Sequence, residues 1–411
     1  MSEPIKSLKP LTPEKILIIP LRYIGDTILT VPLIRNLRTA FPQAQIDVLA
    51  SRTSAPLLET CPYLNSVLIE PKSSLERVRL FQRNGYDAVF LLRKSVSMAM
   101  LCLLAGIPVR VGYDKQRFSW GYKRWGWFLT HTARYPGLKT NTPQALNHLE
   151  LLKSAGLQPV DDYLELWSTP ADEQKVEALL TAAFSDTLPT LTHTKGEPYP
   201  YSSYLANGSG FPRQGGGDFE PSKTENQFEA SISSNISSRE LSSAQDDVRA
   251  RKLAVLHAAS ASHGKQIELE KFGASLKSLH ADGYTIFTTG TQQDYAGYEE
   301  LSRQTSVPVC NLAGKTTLRE TFALYRRIQL LLTVDSSPVH LGAAAGVSKI
   351  VGVFGPTNER QWGPHNAQIQ FNPVFMDLPC RPCYAKVCEH NNCRTQLTGE
   401  QIANAMHLAK P

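Results

Sequence analysis

The sequence predicts an α/β protein of two halves, each built on a parallel sheet, and three observations carry that prediction. Short apolar strands alternate with amphipathic helical stretches from Ile16 to Gly112. The same alternation restarts at Leu253 and runs to Phe354. Between them, from about Ser185 to about Asp247, the chain loses any periodic apolar face and fills with Ser, Gly, Pro, Asn and acidic residues. Strands separated by helices pair in parallel through right-handed crossovers. A segment of the intervening composition cannot offset the entropy of ordering itself. The boundaries that follow are 1–180 for the first half, 185–248 for a disordered low-complexity insertion, 250–378 for the second half, and 379–411 for a cysteine cluster with a closing helix.

Taken in order, Ile16–Pro20 is an apolar run of strand length, and helical spacing follows over Asp26–Phe41 through Ile28, Val31, Leu33, Ile34 and Leu37. Strands are predicted at Ile46–Ala50, Ser66–Ile69, Ala88–Leu92 and Val109–Gly112, with a helix near Ser95–Ala105. The insertion contains Gly208-Ser209-Gly210 and Gly215-Gly216-Gly217, which mimic a phosphate loop in composition only, since no strand precedes them and no helix follows. The second half opens with strand Leu253–His257. Helix Glu268–Leu279, strand Thr285–Thr288, helices Asp294–Gln304 and Leu318–Arg327, strand Leu330–Val334, helix Val339–Ala345 and strand Ile350–Phe354 follow.

At 411 residues, with 42% hydrophobic and 19% charged residues, the chain reads as a globular protein of about two domains. Its formal charge of +6 helps anionic substrates or an anionic lipid surface approach, but is too small and spread to argue for nucleic acid. The run Ile16–Ile19 is far shorter than a signal-peptide core. The stretch Met98–Val109 is too short to span a bilayer and is broken by Gly106 and Pro108. A cytoplasmic location is the expectation. Of seven cysteines, Cys61, Cys102 and Cys310 sit in apolar surroundings and read as small core residues.

The chemistry gathers in a few places. Val334-Asp335-Ser336-Ser337-Pro338-Val339-His340-Leu341 reads as a buried strand feeding a polar turn and a helix N-terminus; Phe354-Gly355-Pro356-Thr357 and Trp362-Gly363-Pro364 follow. Such a turn offers N–H groups and hydroxyls at the positive end of a helix dipole, where a diphosphate can settle. Asp26 follows Gly25 at a strand-to-helix turn, either as a carboxylate at the mouth of a cleft or as an N-cap. A capped carboxylate would be a weak base, because the dipole favours its ionised form. No Asp-x-Asp pair is present to carry a divalent ion on a diphosphate. No G-x-G-x-x-G follows either first strand, which argues against a nicotinamide-dependent oxidoreductase.

Lys15–Ile19 followed by Ile24–Leu33 and Phe41-Pro42, the turn Asp335–His340, the stretch Phe354–Pro364 and the tail Cys380-Arg381-Pro382-Cys383 together resemble the heptosyltransferases of lipopolysaccharide core synthesis, glycosyltransferase family 9. The likeness spans nearly the whole chain apart from the insertion. It implies a GT-B architecture, two Rossmann-like domains with parallel sheets facing across a cleft, and inverting transfer of a sugar from an ADP-type nucleotide donor to a glycolipid or other envelope glycan. It also places the reaction at the inner membrane face; the missing Asp-x-Asp pair predicts metal-independent transfer, and the modest charge no nucleic acid partner. By the resemblance Asp26 is the catalytic base. Ser260 contacts the diphosphate, with Ala259 where a second hydroxyl is common. Lys265 binds the phosphates, although Ile267 stands in place of a usual Trp. Asp294 holds the nucleoside ribose, its alternative being a helix cap, and Thr316 lines the base. Asp335, Ser336, Ser337 and His340 form the donor turn. Ser337 replaces a Gly, so that turn must avoid left-handed backbone.

Two features stay open at this level. Cys380, Cys383, Cys388 and Cys393 have knuckle-like spacing, and four thiolates can close a tetrahedral structural zinc site; an unmetallated thiol cluster is the other reading. Arg117–Phe128 interleaves aromatics with cations, as for stacking on nucleic acid, burial against the core, or contact with a membrane interface. Lipid-linked acceptors in the family favour the membrane. The competing functions are transfer from a different nucleotide sugar and a non-catalytic nucleotide-binding or interaction protein on the same scaffold. The retained Asp26 opposes the second.

Overall fold

The computed structural model describes residues 12–114, 125–135, 137, 140–184, 251–366 and 368–408. The 185–248 insertion and residues 117–124 of the aromatic and cationic segment lie outside the described residues. The first half holds β1 (Lys15–Ile19), β2 (Gln45–Ala50), β3 (Ser66–Ile69), β4 (Ala88–Leu91), β5 (Val109–Asp114) and β6 (His131–Arg134). The second holds β7 (Lys252–His257), β8 (Tyr284–Thr288), β9 (Cys310–Asn311), β10 (Leu330–Val334), β11 (Lys349–Val353) and β12 (Gln370–Val374). They form two six-stranded sheets, β3-β2-β1-β4-β5-β6 and β12-β11-β10-β7-β8-β9. Every pairing is parallel. The two orders are the same pattern, each reversing direction beside its first strand, between β1 and β4 and between β7 and β10. In open parallel sheets, ligands bind at the carboxyl ends of the strands flanking such a reversal.

The central strands are apolar because helices cover both faces. Side chains alternate between those faces: Ile16 and Ile18 join one buried cluster, Leu17 and Ile19 another. The first cluster also takes in Ile28, Leu33 and Leu37 and, from the second half, Leu253, Val255, Leu331 and Leu341, so a continuous apolar layer joins the halves. The helix Pro170–Phe184 packs on the helix Leu318–Tyr325. Ion pairs reinforce this seam: Arg319 lies 3.1 Å from Asp172 and 2.8 Å from Glu59, and Arg327 lies 2.5 Å from Glu173.

Three expectations change. The helix foreseen over Asp26–Phe41 is two helices, Ile24–Ile28 and Val31–Ala40. Pro32 has no N–H to continue the first, and the Thr30 hydroxyl donates to the Asp26 carbonyl at 2.8 Å. The helix foreseen over Glu268–Leu279 is a 3-10 turn, Leu269–Phe272, followed by Gly273–Ala281. Helices Ser74–Asn84 and Gln144–Ser154, and strands β6, β9 and β12, were not foreseen. β9 has only two residues, and Pro373 disguises β12, which tolerates it as an edge strand. Among the described residues no helix is long and apolar enough to cross a membrane.

Candidate active site

The helix Ile24–Ile28 begins just beyond β1, at the reversal point of the first sheet. Asp26 in its first turn is 7% exposed, and its Oδ1 has no hydrogen-bond partner. The N-cap position belongs to Tyr23, without a side-chain capping bond. The cap reading of Asp26 is therefore corrected. Burial pushes its pKa up to about 7, with the charge of Lys265 pulling the other way.

Facing it, β10 delivers the donor turn. Ser336 is the extended N-cap residue of the helix Ser337–Ala345. Ser337 is not among the described residues with positive φ, so the turn accepts a residue other than glycine. The helices Ile24–Ile28 and Ser337–Ala345 pack against each other. A β-carbon on Gly25 would stand 2.9 Å from Cδ2 of His340 and 3.5 Å from Cα of Ser337. The absence of a side chain at Gly25 thus lets the Asp26 turn close on the donor turn.

Lys265 arrives from the 3-10 turn His263–Lys265 after β7. Its Nζ lies 2.9 Å from Oδ2 of Asp335 and 5.8 Å from the ring centroid of Trp362. The Thr357 hydroxyl donates to the same Asp335 oxygen. Asp335 is buried and engaged by these two partners, so within the donor turn it holds Lys265. The Ser336 hydroxyl donates to the Ala259 carbonyl at 3.2 Å; in the first turn of the helix Pro338 has no N–H and the Val339 N–H bonds to the Ser336 carbonyl at 3.2 Å, so the helix offers an anion its dipole and the Ser337 N–H. Ser260 accepts a bond from the Ser262 N–H at 3.3 Å.

His340 is 4% exposed with Nδ1 unpartnered, and burial, aided by Lys265, lowers its pKa to about 3. It is a neutral imidazole at physiological pH. Burial raises the Tyr135 phenol to about 12, with Tyr384 and Asp26 adding to it. The Tyr384 hydroxyl donates to Oε1 of Gln361 at 2.7 Å and accepts from Nε1 of Trp362 at 3.3 Å. Neither tyrosine was foreseen. Tyr135 follows the unpredicted β6, and Tyr384 sits among cysteines that drew attention as metal ligands.

The remaining candidates are placed differently. Oδ2 of Asp294 accepts from the Thr291 N–H and hydroxyl, each at 2.7 Å, in a capping box. Asp294 thus closes the 3-10 turn Gln292–Asp294 and stands at the N-cap position of the helix Tyr295–Thr305 without a side-chain bond to that helix. The Gly314 N–H bonds to the Gly290 carbonyl at 2.9 Å, which sets the loop leading to Thr316 beside the Asp294 turn, toward the β9 edge. The Thr316 hydroxyl is 2.9 Å from that of Thr321. Cys380 and Cys383 are exposed and Cys388 and Cys393 half-buried. Among the described residues no group of three or more His, Cys, Asp or Glu side chains is arranged to hold a metal ion. Burial raises the Cys393 thiol, with Cys383 next in effect. Cys61 and Cys102 are buried, their thiols pushed up to about 12.

The profile of glycosyltransferase family 9 (heptosyltransferase) matches residues 216–394. Lipopolysaccharide heptosyltransferase 3 of Escherichia coli is 24% identical over 376 residues, which cover 88% of this chain and 90% of that protein. The chain is similar to the heptosyltransferases of glycosyltransferase family 9. The solved structure of E. coli ADP-heptose lps heptosyltransferase II superposes with a TM-score of 0.61 at 20% identity, over 95% of this chain and 97% of that one. E. coli heptosyltransferase WaaC with ADP-2-deoxy-2-fluoro heptose gives a TM-score of 0.56 at 16% identity, over 95% and 98%. The transferase thus has the GT-B architecture, with Asp26 at the end of one central strand and Lys265 and His340 at the ends of the other sheet's central strands.

Proposed function

We propose that this transferase moves a heptose from an ADP-linked donor to a lipopolysaccharide core or related envelope glycan, inverting the anomeric centre. One observation carries the reading. Asp26, buried and with an unpartnered oxygen, is poised near neutral pH beside a turn built for a diphosphate. An acceptor hydroxyl attacks the anomeric carbon as Asp26 removes its proton, and the bond to the diphosphate oxygen breaks with its electron pair leaving on the phosphate. Attack and departure occur on opposite faces, hence inversion. Lys265, held by Asp335, and the N-terminus of the Ser337–Ala345 helix neutralise the leaving group, so the chain supplies cationic stabilisation from its own residues. Neutral His340 can add a hydrogen bond without competing for the charge.

The acceptor side also suits a lipid surface. The helix Val96–Leu104 contains no charged residue and exposes Met100, Leu103 and Leu104, and it packs against the 3-10 turn Trp125–Phe128, whose Trp127 is 70% exposed. An uncharged apolar face with a Trp beside it matches the interfacial layer of a membrane.

The test is nucleotide release with ADP-heptose and a panel of other nucleotide sugars, each with a core glycan acceptor, followed by NMR assignment of the product anomer. Turnover with ADP-heptose and an inverted product is expected. Turnover only with a uridine or guanosine donor would replace the ADP-heptose assignment. ADP alone at 100 times its dissociation constant should stabilise the protein by about 2.7 kcal/mol in a thermal shift.

A further inference from the structure

The cysteine-rich tail does visible work through the residues between its thiols. The Arg381 side chain is 6% exposed, donating from Nε to the Gly355 carbonyl at 2.6 Å and from Nη2 to the Thr357 carbonyl at 2.7 Å, with Glu359 at 3.2 Å. Its guanidinium lies 4.3 Å from the Phe375 ring centroid. The backbone N–H groups of Cys383 and Tyr384 both bond to the Pro356 carbonyl, at 3.0 and 3.1 Å. On the other wall of the site the Ala385 carbonyl would stand 2.6 Å from a β-carbon on Gly264, the residue before Lys265. The turn that Arg381 grips carries Thr357, whose hydroxyl shares the Asp335 oxygen with Lys265.

We propose that Arg381 is a positioning residue for the transfer reaction: by fixing the Gly355–Glu359 turn it sets Thr357 on Asp335 and thereby sets where Lys265 stands relative to Asp26. Arginine suits the task because its planar fork holds its donors at a fixed spacing, whereas a lysine ammonium is a point charge on a flexible stem. This inference rests on the transfer reading above.

The groups facing Asp26 are Lys265 from the turn after β7, Tyr135 beyond β6, and His340 on the packed helix after β10. Burial keeps Tyr135 and His340 neutral at neutral pH, so Lys265 is the charge among them that tunes the carboxyl. Loosening Lys265 leaves the Asp26 carboxyl harder to ionise.

The experiment measures pH–rate profiles of nucleotide release for the wild type, Arg381→Ala, Arg381→Lys and Thr357→Val. Arg381→Ala is expected to move the acid limb upward by on the order of 0.5–1 pH unit and to raise the donor KM about tenfold, leaving the acceptor KM unchanged. Arg381→Lys, which can keep the Glu359 pair and one carbonyl bond, falls between. Thr357→Val tests the same relay should Arg381→Ala fail to fold. It shifts the limb in the same direction, and the double variant shifts it no further than the larger single change. A merely structural role would lower the melting temperature or kcat with the acid limb in place, and that result overturns the proposal. A wild type inert toward ADP-heptose and every other nucleotide sugar overturns the transfer reading and this inference with it; an active wild type with unshifted variants overturns the inference alone.

Discussion

Gly25 and His340 meet across the two halves so closely that a methyl group on the first would lie 2.9 Å from Cδ2 of the second. Gly25 has no need of left-handed backbone, so the constraint is one of space alone. Gly25→Ala should therefore displace the imidazole or part the helices Ile24–Ile28 and Ser337–Ala345. Overpacking of this kind costs about 1–3 kcal/mol. The expected result is a loss of kcat/KM of about tenfold, the order that about 1.4 kcal/mol produces. Steady-state kinetics at saturating donor check it, and an unaffected variant would show that the two halves close differently.

Asp26→Asn separates catalysis from stability. Removing a general base costs on the order of 10²–10⁴ in rate. Yet the folded state holds the Asp26 proton up to about pH 7, whereas the unfolded chain releases it near 3.8. The stability that protonation contributes is intact below the unfolded value and is lost as pH rises to the folded one. The span corresponds to roughly 4 kcal/mol at most. The inactive Asn variant should thus melt higher than the wild type at pH 8 and gain less at pH 5. Equal differences at the two pH values in paired thermal melts would falsify the assignment of a raised Asp26.

Much of this was legible in the sequence, and what was not has identifiable causes. The central strands were readable because parallel strands buried on both faces are unbroken apolar runs, as in Ile16–Ile19 and Leu330–Val334. The site turns were readable because Gly25-Asp26 and Asp335–His340 each follow such a strand. Strands β6 and β9 were not, being short and partly polar. The protonation state of Asp26 depends on burial by the opposite half, a long-range property that no local pattern encodes. Tyr384 and Arg381 reach the Gly355–Trp362 stretch only through the path of the tail, and their neighbouring cysteines gave a stronger but separate signal.

Lys265 and Asp335 form a pair whose removal is asymmetric. Lys265→Met leaves a carboxylate that is 3% exposed without its cation, retaining only the Thr357 hydroxyl. Breaking a buried pair from one side costs about 3–5 kcal/mol, and solvent screening lowers that cost here because Lys265 is itself a quarter exposed. Denaturant melts should show Lys265→Met clearly destabilised and the double variant Lys265→Met with Asp335→Asn partly restored. Both should lose donor affinity by at least tenfold, since restoring stability does not restore the cation. Restored nucleotide binding in the double variant would mean that Lys265 serves the fold alone.

The proposed contact of the helix Val96–Leu104 with a membrane surface can be tested directly. Leu103 and Leu104 are 42% and 60% exposed on a helix without charges, and Trp127 lies on the turn packed beside it. Charged side chains there oppose insertion into the headgroup layer while leaving Asp26, Lys265 and His340 untouched. Leu103→Glu with Leu104→Glu should abolish co-sedimentation with anionic vesicles. It should also slow transfer to an acceptor embedded in those vesicles, with no change in transfer to a soluble, deacylated acceptor. The comparison is informative because a folding defect would depress both reactions, whereas loss of docking depresses only the one that takes place at the surface. Equal transfer to both acceptors by the variant would overturn docking through this helix.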